Sequence, residues 1–405
     1  MHNLPAAITS RRGPSRIAPT PGSQLRSGYA LPSSRARRNS LTLIDALFHP
    51  DRRATLYRFL ELSMNYTGLR WIKDDKQRQR IVAGLSKLRT GLKKKVPAKS
   101  DGTLLLATWN IREFGGTKYG GRTTDAMYYI AECISRFDLI AVQEVRADLK
   151  ALKEILRLLG RQWDVIFTDV SFADGGNFER LAFVYNTAKV SFTGLAGELV
   201  LPSKTATERM SQVARTPFVC GFQVGWAKFN LCTVHIYYGT AKAEDLRRVD
   251  EINALAKLLA TKAKDYINTS APADYSPEHL VLLGDFNIFS RTDKTYEAIT
   301  RNRFEVPAEL QKLPGSNVDQ NKFYDQIAFF KQKVGVKSTN AGVFNFFDYV
   351  FDDPKEFRGG KGAPTANMFR QWRTFQMSDH LIMWCEFSVD QTDAYLKALA
   401  AWNGK

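Results

Sequence analysis

Four short apolar runs in this chain each carry acidic or amide side chains at one end. They are LLLATWNIREF (104–114), DLIAVQEV (138–145), LVLLGDFN (280–287) and MSDHLIMW (377–384). Runs so rich in leucine and β-branched residues read as strands buried on both faces. Where each is expected to emerge it delivers Asn110, Glu144, Asp285 with Asn287, or Asp379 with His380. Burying an isolated carboxylate costs several kcal/mol, so acids beside core strands are paired or hold a cation. One such placement is explained by a capped turn. Four predict a convergent site for a hard cation that prefers oxygen ligands.

The 405 residues are enough for one large domain with extensions. No apolar run approaches the ~20 residues of a membrane span. The stretch 218–239 is apolar but is broken by Gln223, Lys228 and Asn230. It reads as two antiparallel strands with a turn at Lys228–Asn230, a register that would let Cys220 face Cys232. The four cysteines (Cys133, Cys220, Cys232, Cys385) show no CxxC spacing. Without a signal peptide ahead of them they read as buried free thiols in a reducing, cytoplasmic setting.

Charge is unevenly spread. The formal balance is 58 − 41 = +17, and residues 1–100 hold 21 basic against 5 acidic side chains, or +16. Residues 101–405 hold 37 and 36, or +1. A basic extension attracts phosphate polymers or anionic membranes. Residues 1–40 contain no acid and are rich in Arg, Ser, Pro and Gly, the composition of a disordered tail. The same composition suits an organelle transit peptide, but Gly and Pro interrupt every window that would form an amphipathic helix.

Residues 41–96 form a basic helical extension and linker. Leu43, Leu47, Leu56, Phe59, Leu60 and Met64 recur at helical spacing. A second helix is expected from Asp74 to Leu92, with Ile81, Leu85 and Leu88 on one stripe and Lys76, Arg78, Arg80, Lys87 and Arg89 opposite. That basic face is either the solvated side of a packed hairpin or a nucleic-acid docking arm. The main domain, 97–388, alternates strands with helices at 123–137, 146–159 and 245–267, capped by Thr123 or Thr124 and by Glu244 or Asp245. A C-terminal helix is expected within 389–405, near Thr392–Trp402.

The four segments resemble the endonuclease/exonuclease/phosphatase superfamily, and within it deoxyribonuclease I. The likeness runs from about residue 103 to 388 and rests on the ordered set WN, QE, GDFN and SDH. It implies an α+β fold of two packed mixed β-sheets flanked by helices, a four-layer sandwich. It also implies a metal-dependent hydrolase of phosphoesters.

Phosphodiester hydrolysis needs a charge clamp on the phosphate, an activated water and a proton for the leaving oxygen. A histidine working at neutral pH benefits from a carboxylate that fixes its tautomer. The resemblance assigns Glu144 as the principal Mg²⁺ ligand, helped by Asn110 and Asp379, with Mn²⁺ or Ca²⁺ as substitutes. Asp285 and Asn287 orient the phosphate or a second ion, both aimed at one face by their one-residue spacing. His380, oriented by Asp325 of FYDQIAFF, is the base toward water. His235, oriented by Glu179 of NFERLAFVY, is the acid to the leaving oxygen or a phosphate clamp. Arg146 and Arg215 match groove-contacting residues, and Arg112 matches another near the metal; all three are expected to bind substrate. An arginine following a catalytic glutamate is equally well its salt-bridge partner. Asp250, Asp293 and Asp348 read as helix or surface acids.

The chain departs from the pattern in three places. Asn177 stands where deoxyribonuclease I stacks an aromatic ring in the minor groove, and Phe178 beside it replaces that ring only if the loop shifts. The disulfide cysteines of the secreted enzyme are missing. Residues 301–322 have no counterpart and are a candidate specificity loop. The leading expectation is an endonuclease that hydrolyses DNA with little sequence preference. RNA is not rejected by any linear motif. A phosphoinositide phosphatase or sphingomyelinase at a membrane surface, and a non-catalytic nucleic-acid-binding module, are the alternatives. The second fares poorly because every catalytic position is filled by a competent residue.

Overall fold

The computed structural model describes residues 64–171, 177–202, 212–267, 278–331, 337–390 and 392–400. The basic tail and the first part of the helical extension, up to residue 63, lie outside the described residues.

Helix α1 spans Asp75–Lys95, and Asp74 caps it by accepting from the backbone N–H groups of Lys76 and Gln77 at 2.9 and 3.2 Å. Strand β1 (Thr103–Phe114) leads to α2 (Thr124–Ser135), β2 (Leu139–Arg146), α3 (Lys150–Leu159), β3 (Trp163–Phe167), β4 (Glu179–Asn186) and β5 (Ser191–Glu198). There follow β6 (Phe218–Val224), β7 (Ala227–His235), α4 (Leu246–Ile267), β8 (Glu278–Asp285), α5 (Lys294–Thr300), β9 (Phe304–Glu305), α6 (Ala308–Gln311) and β10 (Asp325–Phe330). The chain closes with β11 (Ser338–Phe344), α7 (Ala366–Gln376), β12 (Ile382–Ser388) and α8 (Thr392–Ala400).

The strands make two six-stranded sheets, ordered β11-β12-β1-β2-β4-β3 and β5-β6-β7-β8-β10-β9. Each is mixed: β1 with β2 and β7 with β8 are parallel, and the other pairs are antiparallel. Alternation along β1 divides its side chains between two cores. Leu104 and Leu106 face the second sheet, packing with residues such as Phe222, Leu231 and Leu283. Leu105, Ala107 and Trp109 face outward against Ile81, Leu88, Ile130 and Trp372 of the covering helices. This is why β1 reads as a continuous apolar run. The two packed sheets with flanking helices are the architecture the resemblance implies.

Several expectations are corrected in detail. The hairpin over 218–239 turns at Gly225–Trp226, where Gly225 adopts φ +55°, so Lys228 and Asn230 belong to β7. Cys220 stands opposite Leu231 and Cys232 opposite Val219. All four cysteines are buried and free.

The expected caps resolve to Thr123, which accepts from Ala126 N, and Asp245, which accepts from the N–H groups of Arg247 and Arg248. The basic face of α1 is only partly solvated. Arg80 pairs with Asp125 at 2.6 Å and Arg89 with Glu132 at 3.0 Å, both on α2. Residues 301–322 contribute edge strand β9, and Phe304, Val306 and Leu310 are buried in the core. Among the described residues no helix is long and apolar enough to cross a membrane.

Candidate active site

Sheet polarity gathers the site. Asn110 and Glu144 lie late in parallel strands β1 and β2, while His235 and Asp285 end parallel strands β7 and β8. Antiparallel neighbours enter where those strands leave. Glu179 therefore opens β4, Asp325 opens β10 directly opposite Asp285, and Asp379–His380 precede β12. The SDH segment was expected where its strand emerges; it is at the strand's entry, which is the same end because β12 runs against β1.

The two sheets meet through Asn110. Its Nδ2 donates to Glu144 Oε1 and to Asp285 Oδ2, each at 3.0 Å. Beneath it Gln143 Nε2 donates to Thr108 of the first sheet and Thr233 of the second, at 3.1 and 3.0 Å.

Local backbone geometry aims the acids. Glu144 has φ +63° at a register shift between β2 and β4, and Glu113 has φ +46° at one between β1 and β2. Such bulges re-aim a side chain at a cost. Glu113 N–H donates to Glu144 Oε2 at 2.7 Å. Before Asp285, Gly284 adopts φ +133°, and a Cβ there would lie 2.2 Å from Val234 O. Only glycine lets β7 and β8 approach so closely.

Asn287 lies beyond the end of β8 with φ +52°, so strand alternation does not set its direction. Its N–H donates to Asp285 Oδ1 at 2.9 Å and its Nδ2 to Ile236 O at 2.8 Å.

Both histidines are carboxylate-paired. His380 Nδ1 is 2.9 Å from Asp325 Oδ2, and His235 Nδ1 is 3.2 Å from Glu179 Oε1. Each Nε2 approaches Asp285 Oδ2, at 3.7 Å from His380 and 3.4 Å from His235. Burial alone would favour neutral imidazoles. For His380 the charges of Asp325 and Asp285 outweigh it and hold the pKa well above the ordinary value. For His235, burial and Arg215 pull down, but Glu179 and Asp285 raise it on balance. Burial pushes the Glu179 carboxyl up, yet His235 and Arg215 bring it below its usual range. Burial and Asp285 raise Asp325 against the pull of His380.

The donor set suits a hard cation. Asn110 Oδ1 is buried and accepts no hydrogen bond, although both protons of its amide are used. An oxygen left without a partner beside Glu144 suits a divalent ion with oxygen ligands. Asp379 stands at the rim, its side chain about half exposed and 3.8 Å from Arg112 Nε. Ligand atoms of Glu144, Glu179 and His235 lie within 4.8 Å of one another, and so do those of Asp285, Asp325 and His380.

The arginines differ. Arg112 donates to Thr374 Oγ1 at 2.8 Å. Arg146 is half-buried; it donates to Asn177 O at 2.7 Å and lies 3.6 Å from Glu113, so its acidic partner is Glu113 rather than Glu144. Arg215 is 5% exposed and donates to Glu179. Asn177 and Phe178 both have positive φ, and the Phe178 ring is 63% exposed.

Two serines complete the support. Ser378 Oγ donates to Asn110 O at 2.6 Å and accepts from His380 N at 3.0 Å. Ser316 Oγ accepts from Asp325 N at 2.9 Å. Ser378 adjoins Asp379 in the SDH segment, the one signal that could have singled it out.

No protein-family model and no curated protein sequence matches the chain. Solved structures do. The catalytic domain of human Nocturnin with bound sulfate is 13% identical, covering 74% of this chain and 98% of its own at a TM-score of 0.48. An endonuclease/exonuclease/phosphatase family protein from Bacteroides thetaiotaomicron is 19% identical, covering 71% and 95% at 0.46. A mannosyl-6-phosphatase from the same organism is 17% identical, covering 70% and 99% at 0.46.

Proposed function

We propose that the chain is a divalent-metal-dependent phosphodiesterase that hydrolyses nucleic acid, as an endonuclease on DNA with little sequence preference. One observation carries this reading. Two carboxylate-held histidines present Nε2 to the same Asp285 oxygen, and Asn110 ties that carboxylate to Glu144.

Glu144 and Asn110, with Asp379 at the rim, would hold Mg²⁺ or Mn²⁺, which supplies positive charge to a phosphate oxygen when bound. Asp325 fixes the His380 ring through Nδ1 and leaves Nε2 toward the reacting centre. His380, as the neutral imidazole with its proton on Nδ1 toward Asp325, takes a proton from the attacking water at Nε2. His235, beside Glu179, would in its protonated form give the Nε2 proton to the leaving oxygen or hold a phosphate oxygen. Arg215 donates to the same Glu179 oxygen that faces His235 Nδ1, which helps keep the histidine's partner ionised.

The test is nicking of supercoiled plasmid with Mg²⁺, with chelator, and by a His380→Ala variant. Metal-dependent nicking that is lost in the variant supports the reading. Folded protein that leaves plasmid intact but hydrolyses phosphoinositide or sphingomyelin would replace it with the lipid phosphoesterase alternative.

A further inference from the structure

From His380 a row of aromatic rings leads to the protein surface. The His380 and Tyr324 ring centroids are 5.3 Å apart, Tyr324 and Phe289 5.7 Å, and Phe289 and Tyr238 6.1 Å. Tyr324 is half-buried and Tyr238, at the far end, is 42% exposed. The rings come from three separate connections: after β7, after β8 and before β10.

The row is built to stay in place. Arg248 on α4 is fully buried, donates to the carbonyls of Tyr238 at 2.7 Å and Ala243 at 2.9 Å, and lies 4.7 Å from the Phe289 ring centroid. Asp245 accepts from Thr240 N and Oγ1 at 3.1 and 2.9 Å, closing the same loop. Lys322 sets its ammonium 4.5 Å from the Phe289 centroid and forms no ion pair among the described residues.

A purely structural cluster would hide its rings. Here two of the three tyrosine and phenylalanine rings keep accessible surface, beside a buried imidazole of the reacting centre. Lys322, which pairs with no carboxylate among the described residues, stands at hand for a phosphate. Aromatic faces with interleaved cations bind unpaired strands, whose bases offer a free π-face. A base inside a duplex offers that face only after unstacking.

We propose that Tyr238 and Tyr324 stack a base next to the scissile phosphate, with Lys322 at a neighbouring phosphate, so that the preferred substrate is unpaired nucleic acid. The proposal rests on the nuclease reading and narrows its substrate.

The experiment measures initial rates of the full chain on three oligonucleotides: a single strand, the same sequence closed as a hairpin duplex, and a strand with abasic tetrahydrofuran sites. The single strand is expected to show a lower KM than the hairpin. Tyr238→Ala should raise KM for the single strand about tenfold and leave KM for the abasic strand unchanged. Tyr238→Trp, which keeps a stacking ring, should restore the wild-type KM. An equal KM rise on the base-bearing and abasic strands, or a preference for the hairpin with no effect of either variant, overturns the stacking role and leaves the nuclease reading intact. Failure to cut any of the three overturns the nuclease reading itself.

Discussion

His235 and His380 face one oxygen, Oδ2 of Asp285, at 3.4 and 3.7 Å, although they end and precede strands of different sheets. That carboxylate couples the two proposed proton-transfer groups. Asp285→Asn keeps the volume and removes the charge between them. Nicking by this variant should fall by about two orders of magnitude or more, the scale of a lost acid–base group. An equally active variant would show that the shared oxygen has no part in the chemistry.

Asp325→Asn addresses one histidine alone. Without a charged acceptor at 2.9 Å the imidazolium loses its largest stabilising charge, and the ring can adopt the wrong tautomer. The turnover rate should drop while substrate KM stays within about twofold. A rise in KM without a fall in kcat would assign Asp325 to binding instead.

Cation binding is expected to depend on Asn110 and Glu144. Titration of the protein with Mn²⁺, followed by paramagnetic relaxation of water, reads binding without turnover. Asn110→Ala and Glu144→Gln should each weaken it by about tenfold or more. Unchanged titration curves in both variants would move the cation elsewhere.

Glu251 on α4 supplies a pH-dependent term in stability. It is fully buried, accepts from the N–H groups of Ala214 and Tyr237 at 3.4 and 3.3 Å, and burial raises its pKa to about 7. The folded chain then keeps a proton that the unfolded chain releases near the ordinary glutamate value. Between those values the folded state binds more protons, so raising pH favours unfolding. Wild-type stability should fall as pH climbs from about 5 to about 8, by at most about 3 kcal/mol from this group. Glu251→Gln should flatten that part of the urea-unfolding profile, and an unaltered slope would refute the assignment.

Helix α1 belongs to the hydrophobic core rather than to a detachable arm. Leu88 is fully buried, with Ile81, Leu85 and Leu92 beside it. Leu88→Ala should cost about 2–5 kcal/mol in chemical denaturation. A loss under about 0.5 kcal/mol would mean that the helix docks loosely and is free to serve another partner.

The positions that were legible in the sequence share one property. Asn110, Glu144, Asp285 and His380 adjoin apolar runs long enough to announce buried strands, so their polarity stood out. Glu251 and Arg248 did not, because on a helix a buried charge and a solvated one leave the same periodic trace. The partners of Arg80 and Arg89 were hidden for a similar reason: Asp125 and Glu132 are buried helix acids on α2 that pair with α1. The direction of Asn287 failed because strand alternation stops where β8 stops, and its positive φ is a tertiary outcome. The hairpin turn was misplaced toward polar residues when Gly225, with φ +55°, was the one suited to it.

Strand β1 is central in its sheet, yet one of its two neighbours comes from far along the chain. Trp109 Nε1 donates to His380 O across 271 positions, and β1 pairs with β12 from Thr103–Ser388 to Thr108–Met383. Until Ile382–Ser388 has left the ribosome, β1 offers an open hydrogen-bonding edge in the middle of the future sheet. At that stage Asn110 and Glu144 exist, but the proposed base does not. A chain cut before Asp379 would therefore keep Asn110 and Glu144 but lack the proposed base, and would leave one edge of β1 without its partner strand.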